Sequence, residues 1–124
     1  MRVMVLVKAT EESEKGFKLT PEMKEMMAAM GKFNDELVKA GIMKPGDCDG
    51  LTPSSKGKRI AFDGPGRKVI DGPFAHPREL VTGFWLWTVK DMDEAVSWVK
   101  RCPNPMLEPS EIEIRPLQEI EDFQ

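Results

Sequence analysis

The order of sequence patterns predicts an α+β fold. Segments typical of a strand, a helix, a β-hairpin, a strand, a helix and a strand follow one another along the chain. The 124 residues, 40% of them hydrophobic, suffice to bury one core but are few for two. Two of the predicted strands are apolar on both faces, so both faces need cover. We therefore predict a single domain, residues 1–124, folded as a ferredoxin-like sandwich with an added β-hairpin.

The N-terminal segment 2–9 predicts a strand. Its apolar residues alternate between two sets, Val3, Val5 and Val7 on one face and Met4 and Leu6 on the other. Residues 10–18 are polar and charged apart from Phe17, so we expect a loop there.

A long amphipathic helix is predicted to begin at Thr20, whose hydroxyl can cap the free amides, with Pro21 in the first helical position. Gly41 supplies the matching stop. The apolar residues recur at three- and four-residue steps and form one stripe: Met23, Met26, Met27, Met30, Phe33, Leu37 and Val38. Because thioethers adapt to irregular ligands, the methionines allow two interpretations, a flexible pocket or plain core, and core is the commoner case.

Residues 44–57 are rich in Gly, Pro, Asp and Ser and predict a long connection, either a mobile flap over a site or an exposed linkage. Two short strands, 58–62 and 68–70, should then form a hairpin. The intervening Asp63-Gly64-Pro65-Gly66 contains glycines that permit the positive φ of a tight turn.

Residues 81–89 predict a central strand, again apolar on both faces, with Trp85 and Trp87 on the same side. Asp91, with Glu94 three residues later, has the spacing of a capping box and predicts a second helix that ends before Pro103. The last segment, 111–115, alternates cleanly and predicts a half-buried strand.

Two helices can cover only one face of such a sheet. Burying a large apolar side chain is worth about 1.5–3 kcal/mol, so the second face should not remain in water. The simplest cover is the same surface of a second copy, and we predict a homodimer whose two sheets enclose a barrel-like interior.

Composition excludes several classes of partner. The net charge is −3 without a basic stripe, which argues against nucleic acid and against an anionic membrane surface. The longest apolar run near the start is too short for a signal peptide or a spanning helix, so we expect a cytoplasmic protein. Cys48 and Cys102 lack metal or redox spacing and are expected to be free thiols, and we predict no metal and no cofactor.

The run Asp71-Gly72-Pro73-Phe74 is the best candidate for a site, because glycine and proline should make a rigid corner that presents a carboxylate beside an aromatic ring. As a hypothesis, Asp71 orients a group or accepts a proton and His76 transfers it. Arg78 or the Gly72 amide would bind an anionic substrate group, and Phe74 and Trp85 would contact the ligand.

Plainer interpretations of these residues stay open. Asp71 is of the type that caps turns, and His76, next to Pro77, is of the type found in exposed loops. Trp85 and Trp87 follow strand alternation and are typical of core or interface packing.

The same run resembles the signature of the DGPF family, the YCII-related proteins. The similarity continues through Glu79-Leu80-Val81-Thr82-Gly83-Phe84-Trp85 and Arg101-Cys102-Pro103. The resemblance implies a dimeric α+β barrel, and it carries over Asp71, Gly72, Pro73 and Phe74, with Gly83 and Phe84. The His–Asp pair suggested for YCII-related proteins has no counterpart here, since its histidine belongs to the first half of the chain and this half contains none.

We thus expect a small dimer that binds an unidentified small molecule in a cleft at the Asp71 corner, with weak acid–base chemistry left open. Relatives of the family occur attached or adjacent to sigma-factor proteins. The resemblance therefore also implies an alternative, a non-enzymatic regulatory or interaction module.

Overall fold

The architecture is α+β with antiparallel sheets, as predicted. A computed structural model describes residues 1–123, so Gln124, the last residue of the predicted domain, lies outside the described residues. The elements, in chain order, are β1 Arg2–Lys8, α1 Glu11–Glu14, α2 Pro21–Lys39, β2 Cys48–Gly50, β3 Lys58–Asp63, β4 Gly66–Asp71, β5 Val81–Thr88, α3 Met92–Arg101 and β6 Ile112–Pro116. Within these residues, none of the helices has the length and apolar character needed to cross a membrane.

Four strands form the main sheet, in the order β2-β5-β1-β6, and every neighbouring pair is antiparallel. In the centre of the sheet, Val5 lies opposite Trp85 on one side and Ile114 on the other. The predicted central position of β5 is confirmed, because β5 pairs with both β1 and β2.

One face of the sheet carries the core. Val3, Val5, Trp85 and Trp87 are buried against α2 and α3, where Phe33, Leu37 and Ala95 join the same cluster. The Phe33 ring meets both tryptophans edge-on, with centroids 6.3 Å from each. The opposite face presents Met4, Leu6, Phe84 and Leu86, which stay partly exposed.

Both long helices begin and end where the sequence predicts. Thr20 Oγ1 accepts a hydrogen bond from the Met23 amide at 3.1 Å, and Gly41 takes a positive φ of 76° just past the end of α2. Asp91 Oδ1 accepts from the Glu94 amide at 2.9 Å at the start of α3.

The predicted hairpin exists as a separate two-stranded sheet, β3 with β4. Gly64 supplies the positive φ of its turn, at 55°. All residues of both strands are exposed, so the hairpin projects from the molecule with neither face buried.

Two short elements differ from the expectation of loops. Residues 10–18 contain α1, which is capped at Thr10 by a reciprocal pair of hydrogen bonds with Ser13. Residues 44–57 contain β2, in which Asp49 and Gly50 have poor strand propensity and which is held by pairing with β5. The cap of α1 is a local contact, whereas β2 depends on a pairing with β5 that the local pattern does not show.

Candidate functional site

The corner at residues 71–74 is anchored to the segment that follows β2. Asp71 ends β4 and forms an ion pair with Lys58, and its side chain is 73% exposed. The next amide, of Gly72, donates to the carbonyl of Gly57 at 3.1 Å. Asp71 is therefore a solvent-exposed carboxylate with a lysine partner.

Gly72 is required here because two backbone segments approach closely, and its φ is not positive. A Cβ at this position would lie 1.7 Å from the Ser54 carbonyl oxygen, so only glycine allows the two backbones to approach. The Gly72–Pro73 peptide is cis. The left-handed residue of this turn is His76, with φ 60°.

Phe74 is fixed by a relay of hydrogen bonds. Its amide donates to Ser54 Oγ at 3.0 Å, and the Glu14 carboxylate accepts from both the amide and the hydroxyl of Ser54. The Arg59 guanidinium lies 3.9 Å from the centroid of the Phe74 ring. These contacts connect α1, the loop after β2 and the hairpin at the corner, which we call the joint.

His76 and Arg78 lie in a different place, an open acidic cavity. Its other lining residues are Glu11, Glu12, Pro77, Glu79 and Glu108. Asp71, Gly72 and Phe74 do not line this cavity. Within residues 1–123, no three His, Cys, Asp or Glu residues form a group that could hold a metal ion.

An apolar cavity lies between α2 and the β2 edge of the sheet. It measures about 550 Å³, and we call it the methionine cavity. Its wall from α2 and the neighbouring loops includes Phe17, Leu19, Met23, Met26, Met27, Met30, Gly31, Asn34, Pro105 and Met106, and its wall from the sheet includes Val7, Cys48, Asp49, Gly50, Thr82, Gly83, Phe84 and Trp85.

Gly83 leaves part of the sheet wall of this cavity without a side chain. Gly83 lies opposite Val7 in the register and next to Trp85 in β5, on the face that carries the core. A Cβ built on Gly83 would make only ordinary contacts, at 3.4 Å to Asp49 O and 3.5 Å to Val7 Cγ2. Larger residues would extend from there into the cavity.

The polar groups of the cavity are few. Trp85 Nε1 donates to Asn34 Oδ1 at 2.8 Å, and both residues line the wall. Burial, followed by the neighbouring Asp49 and Asp47, raises the pKa of the Cys48 thiol, so the thiol is neutral at pH 7. No lysine, arginine or histidine is among the described residues that line the cavity.

Asp49 contributes no carboxylate to the core side of the sheet. It pairs with Phe84 in the register, so its side chain shares the opposite face, while Cys48 shares the face of Trp85. Asp49 Oδ1 accepts from the Gly50 amide at 3.0 Å. The core-facing lining of the methionine cavity is therefore uncharged.

The structure distributes the predicted site residues over three places. Asp71, Gly72 and Phe74 form the corner, His76 and Arg78 line the acidic cavity, and Trp85 lines the methionine cavity. In the methionine stripe, Met23 is buried and Met27 is 53% exposed, and both line the cavity. Sequence reasoning missed Asn34 and the role of Gly83, although glycine inside an apolar strand is a signal of open space or close approach.

Comparison with known proteins identifies a family and a relative. The family model described as the YCII-related domain matches residues 1–121. An uncharacterised protein of Rhizobium meliloti (strain 1021) is 30% identical over 95 residues, which cover 77% of this chain and 72% of that protein.

Proposed function

This chain belongs to the YCII-related domain family. We propose that it is a small, single-domain cytoplasmic protein that binds an uncharged, mainly apolar small molecule in the methionine cavity. The observation that carries the proposal is the cavity itself, about 550 Å³ with an apolar wall. Ligand sites are typically concave, mostly apolar and furnished with a few polar groups, and this cavity has that composition.

The methionine cavity is a better site than the corner for physical reasons. Asp71 is exposed and paired with Lys58, whereas Trp85 is 4% exposed and already holds a polar partner. Acid–base roles for Asp71 and His76 stay a prediction, as do ligand contacts by Gly72, Phe74 and Arg78. The corner is linked to the cavity along the chain, since Ser54 follows β2 closely and β2 lines the cavity.

The proposal includes a homodimer in a ferredoxin-like, barrel-forming arrangement. Support comes from the strand order β2-β5-β1-β6, with both long helices on one face. The other face leaves Met4, Leu6, Phe84 and Leu86 partly exposed, and a second copy would bury them. Sedimentation equilibrium at micromolar concentration should give twice the chain mass, and Phe84→Asp should give the monomer. A monomeric wild-type protein would exclude this assembly.

A thermal-shift screen tests the binding proposal. Neutral apolar metabolites should raise the unfolding temperature, because a ligand at 100 times its dissociation constant adds about 2.7 kcal/mol of stability. Gly83→Leu places a side chain in the cavity and should abolish the shifts, while Gly83→Ala should keep them. Equal shifts in wild type and Gly83→Leu would place binding elsewhere.

A second candidate function is the regulatory or interaction module. The hairpin favours it, because Ile60, Phe62 and Val69 are exposed on one of its faces and Phe62 is 72% exposed. An isolated two-stranded hairpin is marginally stable, so a partner would stabilise it. A hairpin-dependent partner, retained by wild type and lost in Phe62→Ser, would favour this function, and the same partner bound by both proteins would exclude the hairpin as its site.

A further inference from the structure

We propose that the methionine cavity selects neutral ligands that carry a hydrogen-bond acceptor, such as a ketone, ester or amide oxygen, and that the side-chain amide of Asn34 recognises this acceptor. The inference rests on the proposed function, since it names the chemical class that the same cavity would take. Two observations support it: the hydrogen bond from Trp85 Nε1 to Asn34 Oδ1, and the absence of lysine, arginine and histidine from the described lining residues of the cavity.

Trp85 determines which end of the Asn34 amide faces the indole. An indole N–H is a donor only, so its partner at 2.8 Å must be the amide oxygen, Oδ1. The NH₂ group of Asn34 is thereby directed away from Trp85. Because Trp85 is 4% exposed within a packed core, it holds the amide in this orientation before any ligand arrives.

The NH₂ group is the donor that this arrangement leaves for a ligand. Among residues 1–123, no protein atom accepts a hydrogen bond from Asn34 Nδ2, and Asn34 is half-buried in the cavity wall. A donor in an apolar wall favours a ligand that places an acceptor against it, and it disfavours a ligand of the same shape without one.

The charge of the lining excludes anionic acceptors. A carboxylate or phosphate that entered the cavity would lose its hydration without gaining a cationic partner, because no lysine, arginine or histidine is among the described lining residues. The cost of desolvating the anion would therefore be uncompensated. The carboxylate of Asp49 belongs to the opposite face of the sheet, so the core side also offers no anion for an amine. A neutral acceptor is the remaining class of polar group.

Three probes of similar size separate these cases: acetophenone, which has a neutral acceptor, ethylbenzene, which has none, and benzoate, which is an anion. Calorimetric titration of the full chain should show acetophenone binding about tenfold tighter than ethylbenzene, the effect of one hydrogen bond of ordinary strength. Benzoate should bind more weakly than either neutral probe.

The matched variant is Asn34→Asp. An aspartate keeps the shape and can still accept from Trp85 Nε1, but it offers no N–H donor. In this variant the preference for acetophenone over ethylbenzene should disappear. Ethylbenzene binding by the variant shows that the cavity is intact, and Asn34→Ala supplies a second donor-free variant if Asn34→Asp does not fold.

The outcomes distinguish this inference from the proposed function. Binding of both neutral probes with equal affinity in wild type, or a tenfold preference that survives in a folded Asn34 variant, would overturn the role of Asn34 while leaving the cavity as a site. If neither acetophenone nor ethylbenzene binds, both the role of Asn34 and the cavity as a site are overturned, and ethylbenzene binding without acetophenone binding would overturn the role of Asn34. Tighter binding of benzoate would overturn the exclusion of anions.

Discussion

Trp85 and Asn34 form a hydrogen bond between β5 and α2, 2.8 Å from indole nitrogen to amide oxygen, at the wall of the methionine cavity. Trp87, two residues further along β5, is also buried, but its Nε1 has no hydrogen-bond partner in the described part of the chain. The two tryptophans share one face of the sheet and differ in this bond. Of these two tryptophans, the one that lines the methionine cavity has the hydrogen bond, and the one that does not line it has none.

A double-mutant cycle should measure this bond. Asn34→Ala and Trp85→Phe, made singly and together, should show a coupling of about 1 kcal/mol in the free energy of unfolding, because either change alone removes the same hydrogen bond. Urea unfolding supplies the measurement. The control cycle, Asn34→Ala with Trp87→Phe, should show coupling near zero, and equal coupling in the two cycles would contradict the account.

Gly72 and Gly31 provide a second matched pair. Gly72→Ala should cost about 1–3 kcal/mol of stability, since its Cβ would overlap the Ser54 carbonyl and the backbone must shift. A Cβ at Gly31, in the middle of α2, would have no neighbour within 4 Å. Gly31→Ala should therefore raise the free energy of unfolding by up to about 1 kcal/mol. Chemical denaturation measures both. A Gly72→Ala protein as stable as wild type would show that the corner is looser than described.

Glu14 should matter more than its neighbour Glu12. The Glu14 carboxylate accepts from both the amide and the hydroxyl of Ser54, so Glu14→Gln should destabilise the protein by about 1–3 kcal/mol. Glu12 forms an exposed ion pair with Lys15, and Glu12→Gln should cost less than about 1 kcal/mol. Urea unfolding of the two variants gives the comparison, and equal costs would remove Glu14 from the joint.

Cys102 should make stability fall at alkaline pH. Burial raises the pKa of its thiol to about 12. A raised pKa in the folded state means that the unfolded chain loses its proton first, so stability is complete below the ordinary thiol pKa and declines as pH rises toward 12.

The alkaline decline can be assigned by substitution. Urea unfolding between about pH 8 and 10.5 should show a steeper loss of stability for the wild-type protein than for Cys102→Ala, because the unperturbed thiol titrates near pH 8.5. The difference between the two proteins isolates the thiol from the lysines, which both retain. Parallel curves would mean that Cys102 is ionised as easily in the folded protein as in the unfolded chain.

Local patterns were enough for the main elements of the fold. The Thr20–Pro21 start of α2, the Asp91 cap of α3 and the glycine turn of the hairpin each depend on neighbours in sequence, and each forms as expected. β2 could not be predicted in this way, since its strand geometry comes from pairing with β5 across the fold.

For the candidate site too, features set by neighbours in sequence could be predicted, and features set by the packing of distant elements could not. The corner at 71–74 is visible in the sequence because glycine and proline constrain the chain locally. The methionine cavity requires α2 and β5 to be placed together, so Trp85 and the methionine stripe were visible separately but their enclosure was not. Asn34 gave no signal, because an asparagine beside an apolar stripe is common on exposed helices.

The most direct test of ligand binding is a titration of the protein labelled with ¹³C at the methionine methyl groups, with acetophenone as the ligand. Of the nine methionines, Met23, Met26, Met27, Met30 and Met106 line the cavity. We expect saturable shifts of these methyl signals, small changes at Met1, Met4, Met43 and Met92, and loss of the effect in Gly83→Leu. Unchanged cavity methyl signals at saturating acetophenone would contradict this expectation.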